Sequence, residues 1–404
     1  MTKSSKPGLG VFGRRNNGKS SLINALAERE LSPVSEISGT TAEPVMIPMI
    51  IPGIGPVMIF DTPGIDEVGD AGEKKMIKTL DTLKSVDLAI LVISDNLFAE
   101  PERKLIERFL EFSVPFVVVH NRSDLAELTQ QMKNMIEKAF QTEVVDYNSL
   151  FPVNTVSLVK AIKRAIPESA YLQKSMVADM IKPGELVLLI TGADGEGAAG
   201  HLQTIQLQLL HDALETDALV AVVKEREAER TGRKLIPRPR LVVVEDYFLQ
   251  RAHNMFPWDT VLSSFSILNS RHKGNFEHLL KGTPALSELK DGDAILFLRG
   301  CGLGISCNDE VRADLAGRIC RFSGKALDFS VTPTLVGLKT DLSKFAMIVQ
   351  CDGCSLTRGQ MVNYLKPAVD AGIPVTSSGM AMAWLSGVFE RLMKPLFHKE
   401  NTLL

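Results

Sequence analysis

Gly13-Arg14-Arg15-Asn16-Asn17-Gly18-Lys19-Ser20 is a complete phosphate-binding loop of the form G-x-x-x-x-G-K-S. It follows an apolar run of strand type, residues 9–12, and leads into the helix-spaced stretch Ser21-Leu22-Ile23-Asn24-Ala25-Leu26. The strand–loop–helix setting gives the motif its physical meaning. The glycines let backbone N–H groups ring a phosphate, Lys19 reaches the outer phosphates, and the Ser20 hydroxyl can hold Mg2+. Gly13, Asn16, Asn17, Gly18, Lys19, Ser20 and Ser21 are therefore the first predicted nucleotide contacts.

Working outward, the other parts of a guanine-nucleotide site follow in order. Ile59-Phe60-Asp61-Thr62-Pro63-Gly64 is an apolar strand ending in D-x-x-G. Asp61 would stand behind the Mg2+ ligands, and the Gly64 N–H would face a γ-phosphate. Lys19, Asp61 and Gly64 form the expected catalytic set. Between the two motifs lies Ser38-Gly39-Thr40-Thr41, a polar switch-type stretch whose Thr41 would complete the Mg2+ shell, with Thr40 beside it. A further apolar run, residues 114–119, leads into His120-Asn121-Arg122-Ser123-Asp124, which reads as N-K-x-D with Arg122 in the lysine place. Alone, Asn-Arg-Ser-Asp is a solvated turn. As the fourth element of an ordered set it is a base-recognition loop. A carboxylate at Asp124 accepts from the N1–H and the exocyclic amine of guanine, a donor pair that adenine lacks, and so selects GTP. Asn121 and Arg122 belong to the same loop. Phe151-Pro152-Val153-Asn154-Thr155 stands where a last, weaker base contact is expected, through Asn154 and Thr155.

The position after D-x-x-G often carries a glutamine that orients the attacking water. Here it is Ile65, so hydrolysis is expected to be slow or helped by another group. This segment resembles the bacterial GTPases of tRNA modification and ribosome assembly, with G-R-x-N-x-G-K-S and G-T-T. The resemblance implies that Asn16 helps to bind a K+ ion supplying positive charge in the transition state.

A length of 404 residues is a prior for two to four domains. The last helix pattern of the first one, residues 158–166, is closed by Pro167, and a polar helical link over 168–182 leads to Pro183-Gly184. The composition is 45% hydrophobic and 23% charged with net charge −3, which gives no general pull toward nucleic acid or an anionic membrane. No apolar stretch has the length and freedom from charge of a membrane span, and the N-terminus lacks an apolar signal core, so the expectation is a cytoplasmic protein. No low-complexity tract or short internal repeat is evident.

Strand and helix patterns alternate again after Gly184. Residues 186–191, 218–223, 240–244 and 262–268 read as strands and 201–213 as a helix. This predicts a second, smaller α/β unit without phosphate loop or catalytic constellation, hence an interaction or dimerisation surface. His201 and His211 read as surface histidines on a helix.

All five cysteines fall toward one end of the chain, within residues 301–354: Cys301, Cys307, Cys320, Cys351 and Cys354. An odd number in a cytoplasmic protein argues against a disulfide framework. Cys351-Asp352-Gly353-Cys354 lets two thiolates bind one metal centre, and it follows the strand run 346–350. Cys301 follows the strand run 294–298, and Thr376-Ser377-Ser378-Gly379 follows 373–375. All three loops would lie past the carboxyl ends of strands, where open α/β sheets build ligand sites. Three converging thiolates suit an iron–sulfur cluster. A zinc site and a redox or structural C-x-x-C remain open on the residues alone. Cys307 and Cys320 lack partner spacing.

Across nearly its whole length the chain resembles the FeFe-hydrogenase maturation GTPase family, HydF. The likeness lies in Lys6-Pro7-Gly8-Leu9-Gly10-Val11-Phe12 running into the phosphate loop, in Val223-Lys224-Glu225, and in Ser264-Phe265-Ser266-Ile267-Leu268. It continues in Leu289-Lys290-Asp291-Gly292-Asp293, Cys351-Asp352-Gly353-Cys354 and Gly372-Ile373-Pro374-Val375. The family implies a GTPase domain followed by two smaller α/β domains. Mapped here these are a GTP-binding domain at 1–168, a linker at 169–183, a dimerisation domain at 184–270 and a cluster domain at 271–404. It also implies a homodimer, GTP with Mg2+, a 4Fe–4S cluster on Cys301, Cys351 and Cys354, and work with FeFe-hydrogenase and its radical-SAM maturation enzymes. The two histidines of the family's C-x-H and H-C-x-x-C pattern are replaced by Leu303 and Gln350, and Arg299-Gly300 stand where Glu-Ala is typical. Leu303 cannot ligate iron, so the fourth position would fall to water, a small anion, Asp352 or Ser306. The expected function is a GTPase scaffold and carrier for the hydrogenase di-iron centre, its two sites coupled allosterically. The alternative is a regulatory GTPase with a zinc or redox-sensing thiol domain.

Overall fold

The computed structural model describes residues 6–27, 45–65, 79–152, 154–171, 175–192, 202–299, 309–335, 341–351 and 356–397. The chain packs as two compact units, residues 5–173 with 357–364, and residues 174–356 with 365–404.

The first unit is built on β1 (Gly8–Gly13), β2 (Val45–Ile51), β3 (Gly55–Asp61), β4 (Leu88–Ile93), β5 (Phe116–His120) and β6 (Val144–Asp146). They form one sheet in the order β2-β3-β1-β4-β5-β6. Only the β2–β3 pair is antiparallel, with β2 at the edge. β1, β4 and β5 are buried along their whole length, which is why they read as unbroken apolar runs. Leu9, Val11, Ile90, Val92, Val117 and Val119 pack with Leu22, Leu158 and Ile162 of the helices Lys19–Ala27 and Thr155–Ala165. Asp87, just before β4, accepts from the Gly8 N–H at 2.8 Å, the Gln360 amide at 2.8 Å and the Thr357 hydroxyl, which ties residues 357–364 into this unit.

The second unit holds two four-stranded parallel sheets. One contains β7 (Leu186–Thr191), β8 (Leu219–Lys224), β9 (Pro239–Val244) and β10 (Val261–Ser264), in the order β10-β9-β7-β8. The other contains β11 (Ala294–Leu298), β12 (Asp328–Thr332), β13 (Phe345–Gln350) and β14 (Val375–Ser377), in the order β12-β11-β13-β14. The path is the same in both: the first strand is central, the second flanks it, the third crosses to the other side, and the fourth lies beyond.

The registers match as well. Ile190 pairs Val244, which pairs Ser264; Leu298 pairs Gln350, which pairs Ser377. Each central pair has a register shift after its first residue, at Leu186/Val187 and at Ala294/Ile295. Each fourth strand ends on a serine whose hydroxyl caps a helix: Ser264 accepts from Ile267 N–H at 3.2 Å, and Ser377 from Met380 N–H at 3.3 Å. The two sheets are a structural repeat of one four-stranded pattern. They share an apolar layer that includes Leu188, Ile190, Val242 and Val244 from one and Leu296, Leu298 and Ile348 from the other.

Two local expectations change. The predicted strand 262–268 ends at Ser264 and continues as the helix Phe265–Lys273, because the serine side chain caps a helix start. In the link 168–182, helix is found only at Glu168–Tyr171 among the described residues. Farther on, the Ser175 hydroxyl takes the Ala178 N–H at 2.7 Å and Asp212 takes the Val177 N–H at 3.1 Å, holding turns in place of a helix.

Candidate functional site

The carboxyl ends of β1, β3, β4, β5 and β6 lie side by side and carry the motif residues. The loop after β1 needs positive φ at Gly13 (+143°), Asn16 (+63°) and Gly18 (+79°). At Gly13 a Cβ would meet the Val92 carbonyl oxygen at 2.3 Å, so no larger residue fits that close approach. Lys19 is buried, with its ammonium donating to the carbonyls of Gly13 at 3.1 Å and Arg14 at 2.7 Å. Asn17 donates to the Val92 carbonyl at 2.9 Å and accepts from the Ser94 hydroxyl at 3.0 Å, which pins the loop to β4. Asn16 is exposed at the rim.

Ser20 and Asp61, 41 residues apart, meet: the hydroxyl donates to Asp61 Oδ2 at 2.7 Å. Asp61 is buried at the end of β3. A hydroxyl and a carboxylate so paired are a fit donor set for a hard cation such as Mg2+. Gly64 follows in a stretch where the Thr62 hydroxyl bonds the Val11 carbonyl at 2.7 Å and the Ile65 N–H reaches the Gly13 carbonyl at 3.4 Å. Ile65 is buried and turned into the protein, so it cannot orient water. Thr40 and Thr41 lie outside the described residues.

At the base side, buried Asn121 joins three segments. Its amide donates to the carbonyls of Asn17 at 3.0 Å and Gly18 at 3.3 Å, and its oxygen accepts from Ser149 N–H at 3.2 Å and the Ser149 hydroxyl at 2.8 Å. Arg122 has positive φ (+60°), and Asp124 is exposed beyond it. Ser149 was not anticipated; the signal for it is the short strand β6, which places residues 147–149 at the same sheet edge. Asn154 and Thr155 lie at the start of the helix Thr155–Ala165, where the Thr155 hydroxyl sits 3.1 Å from that of Tyr147. Burial pushes the Tyr147 hydroxyl above the usual phenol range, partly opposed by Thr155.

Arg14 could serve as a transition-state cation if free, but it forms a two-pronged ion pair with buried Glu102, at 2.7 and 2.9 Å. Glu102 also takes the Ala99 N–H at 2.9 Å at the start of the helix Glu100–Glu111. Arg14 is thereby a brace for the phosphate loop.

Residues 9–122 match the family model described as a 50S ribosome-binding GTPase. Residues 176–274 match the hydrogen maturase F dimerization domain, and residues 277–395 the hydrogen maturase F tetramerization domain. The chain is HydF-like. Over 120 residues it is 35% identical to the tRNA modification GTPase MnmE of Nitrosospira multiformis, covering 30% of this chain and 26% of that protein. Over 121 residues it is 39% identical to the GTPase Der of Wolinella succinogenes, covering 29% and 26%. The chain thus spans about a quarter of the length of these curated relatives. Among solved structures, Aquifex aeolicus Era bound to GDP·AlF4− is 20% identical over 55% of this chain and 95% of that one, with a TM-score of 0.38.

In the HydF-specific unit, the chain path of each sheet switches sides between the central strand and the third strand, the kind of point beyond which open α/β sheets build ligand sites. Past β9 stands buried Glu245, which accepts from the Gln206 amide at 2.7 Å and from the Gly192 N–H past β7. Burial and the neighbouring Asp246 push its carboxyl up to about 7. Burial raises Asp246 too, against hydrogen bonds from Ser264 and Ser266. The Tyr247 hydroxyl is pushed up to about 12 by burial and by Glu225 and Glu245.

The matching position past β13 is Cys351. It is half-buried, and its N–H donates to the Leu298 carbonyl at 3.1 Å across the central pair. In sequence, Cys301 comes three residues after β11, the strand that pairs with β13. Thiolate donor chemistry fits iron or zinc. Cys301, Cys307 and Cys354 lie outside the described residues, and among the described residues no group of three His, Cys, Asp or Glu is arranged around a metal position. Cys320 lies in the helix Asp309–Ser323. His211 is exposed on the helix Leu202–Glu215, and His201 lies outside the described residues. Among the described residues no helix is long and apolar enough to cross a membrane.

Proposed function

We propose that this HydF-like chain is a GTP-hydrolysing scaffold and carrier in assembly of the FeFe-hydrogenase di-iron site. The observation that carries the reading is the succession of a GTPase-type match and two hydrogen maturase F matches, on a chain whose Ser20 and Asp61 meet at 2.7 Å. The division of labour is nucleotide binding in 1–168, a linker at 169–183, dimerisation in 184–270 and cluster binding in 271–404.

Backbone N–H groups of Gly13 to Gly18 ring the phosphates, Lys19 neutralises the outer oxygens, and the Gly64 N–H faces the γ-phosphate. Ser20 and Thr41 would hold Mg2+, with Asp61 behind them, and the ion would supply positive charge to the phosphates. Asp124 reads the guanine edge, with Asn121, Arg122, Asn154 and Thr155 around the base. Arg14 is committed to Glu102 and Ile65 is buried, so beyond Lys19 neither of these two supplies charge to the γ-phosphate. Exposed Asn16 is then the residue to hold K+.

Cys301, Cys351 and Cys354 hold a 4Fe–4S cluster, and the partners are a second copy of the chain, the hydrogenase and its radical-SAM maturation enzymes. The test is anaerobic purification with metal and sulfide analysis and nucleotide competition. Iron with sulfide and a preference for GTP over ATP are expected. Zinc in place of iron would favour the regulatory reading, and equal affinity for ATP would sink the nucleotide assignment.

A further inference from the structure

His120 is fully buried at the carboxyl end of β5, directly before Asn121. A buried polar ring needs partners, and His120 has them on two other elements. Its Nδ1 lies 2.7 Å from Asp146 Oδ1 at the end of β6. Its Nε2 faces the Asn96 N–H at 3.4 Å, in the turn after β4. A backbone N–H can only donate, so Nε2 is the acceptor and Nδ1 carries the proton that goes to Asp146. The ring thus bridges the ends of β4, β5 and β6 in one tautomer.

Asn96 extends the bridge. Its amide donates to the Glu127 carbonyl at 2.9 Å, and its oxygen accepts from the Thr129 N–H at 2.9 Å. At the front, the Ser123 N–H meets the Tyr147 carbonyl at 3.2 Å, and the Tyr147 N–H meets the His120 carbonyl at 2.8 Å. Residues 121–129 are therefore held at both ends, while Asp124 between them stays exposed.

We propose that His120, through Asp146 and the Asn96 turn, is a positioning residue for guanine: it fixes the loop so that the Asp124 carboxylate meets both the N1–H and the exocyclic amine. The inference rests on the GTP reading above. A carboxylate that must accept two parallel hydrogen bonds is sensitive to tilt, and a loosened loop keeps one bond and loses the other.

Guanine and hypoxanthine separate these two bonds, because hypoxanthine lacks the amine while the ribose and phosphates are unchanged. The test is the ratio of GDP to IDP affinity, measured by calorimetry on the full chain with Mg2+. The native chain should favour GDP, and His120→Leu should lower that preference about tenfold, the weight of one charge-assisted hydrogen bond. Asp146→Ala should lower it in the same direction; the Asp146 side chain is 39% exposed, so this variant keeps the core should the leucine variant misfold. His120→Asn, whose amide N–H can replace Nδ1 toward Asp146, should recover most of the preference. A structural role alone would weaken GDP and IDP together, and an unchanged ratio in both His120→Leu and Asp146→Ala overturns the proposal. A native chain that binds GDP no better than ADP overturns the nucleotide reading instead.

Discussion

The two sheets of the HydF-like unit share strand order, register and even the position of a register shift, yet they end in different chemistry. Past β9 the repeat places Glu245; past β13, at the same register, it places Cys351. At the first, Glu245 is taken up by hydrogen bonds from Gln206 and Gly192. The other carries the half-buried thiol of Cys351. The scaffold therefore sets where a ligand would sit, and the first residue or two beyond each strand sets what it would be.

The sharpest way to break this comparison is to exchange the chemistry at the matched positions. Cys351→Ser should abolish iron uptake in anaerobic reconstitution, since a hydroxyl is a poor ligand for this iron, and Cys301→Ser or Cys354→Ser should do the same. Glu245→Gln at the counterpart position should leave iron and sulfide content unchanged, as should Cys307→Ser and Cys320→Ser. If Glu245→Gln removed iron as fully as Cys351→Ser, the two matched positions could not belong to separate sites.

The nucleotide sheet offers a second contrast, because its loops are fixed by side chains from several strands. Lys19→Ala should lower GTP hydrolysis about 100-fold, the typical effect of removing one charge-stabilising donor, and leave iron content intact. Asp124→Asn should weaken GTP binding about tenfold and relax selectivity toward xanthine nucleotides, read by competition binding. Replacing Na+ by K+ should raise turnover, and Asn16→Ala should remove the gain; a native rate indifferent to K+ would remove the basis for that role.

What was legible in the sequence follows from the physics of each element. β1, β4, β7 and β11 are buried along nearly all their length and read as apolar runs. The phosphate loop, D-x-x-G and N-x-x-D stood out because their residues are adjacent in sequence. Residues 262–268 misled because one apolar run covers the end of a strand and the start of a helix, and only the Ser264 cap marks the change. The His120–Asp146 pair and the Ser149–Asn121 contact join residues 26 and 28 apart through the β5–β6 register, which no local pattern encodes. The repeat is hidden for a similar reason: matched positions carry unlike side chains, Val244 against Gln350 and Glu245 against Cys351, and only the ladders align them.

The smallest expected effect sharpens the comparison from the carboxylate side. Burial and Asp246 raise the Glu245 carboxyl from 4.5 to about 7, so between these values the folded chain holds a proton that the unfolded chain has released. Stability from this group is present at the low end of that window and is lost as pH rises through 7. Glu245→Gln, neutral at every pH, should therefore flatten the pH dependence of unfolding. At pH 8 it should stabilise the chain by about 1–2 kcal/mol, less than the full shift implies because neighbouring carboxylates readjust. At pH 5 it should change little. Thermal melting of both proteins at the two pH values reads this as a rise of a few degrees for the variant at pH 8 alone. Melting curves that stay parallel between pH 5 and 8 would mean that Glu245 is ionised throughout, and that burial does not hold its proton as Asp246 and the surrounding layer imply.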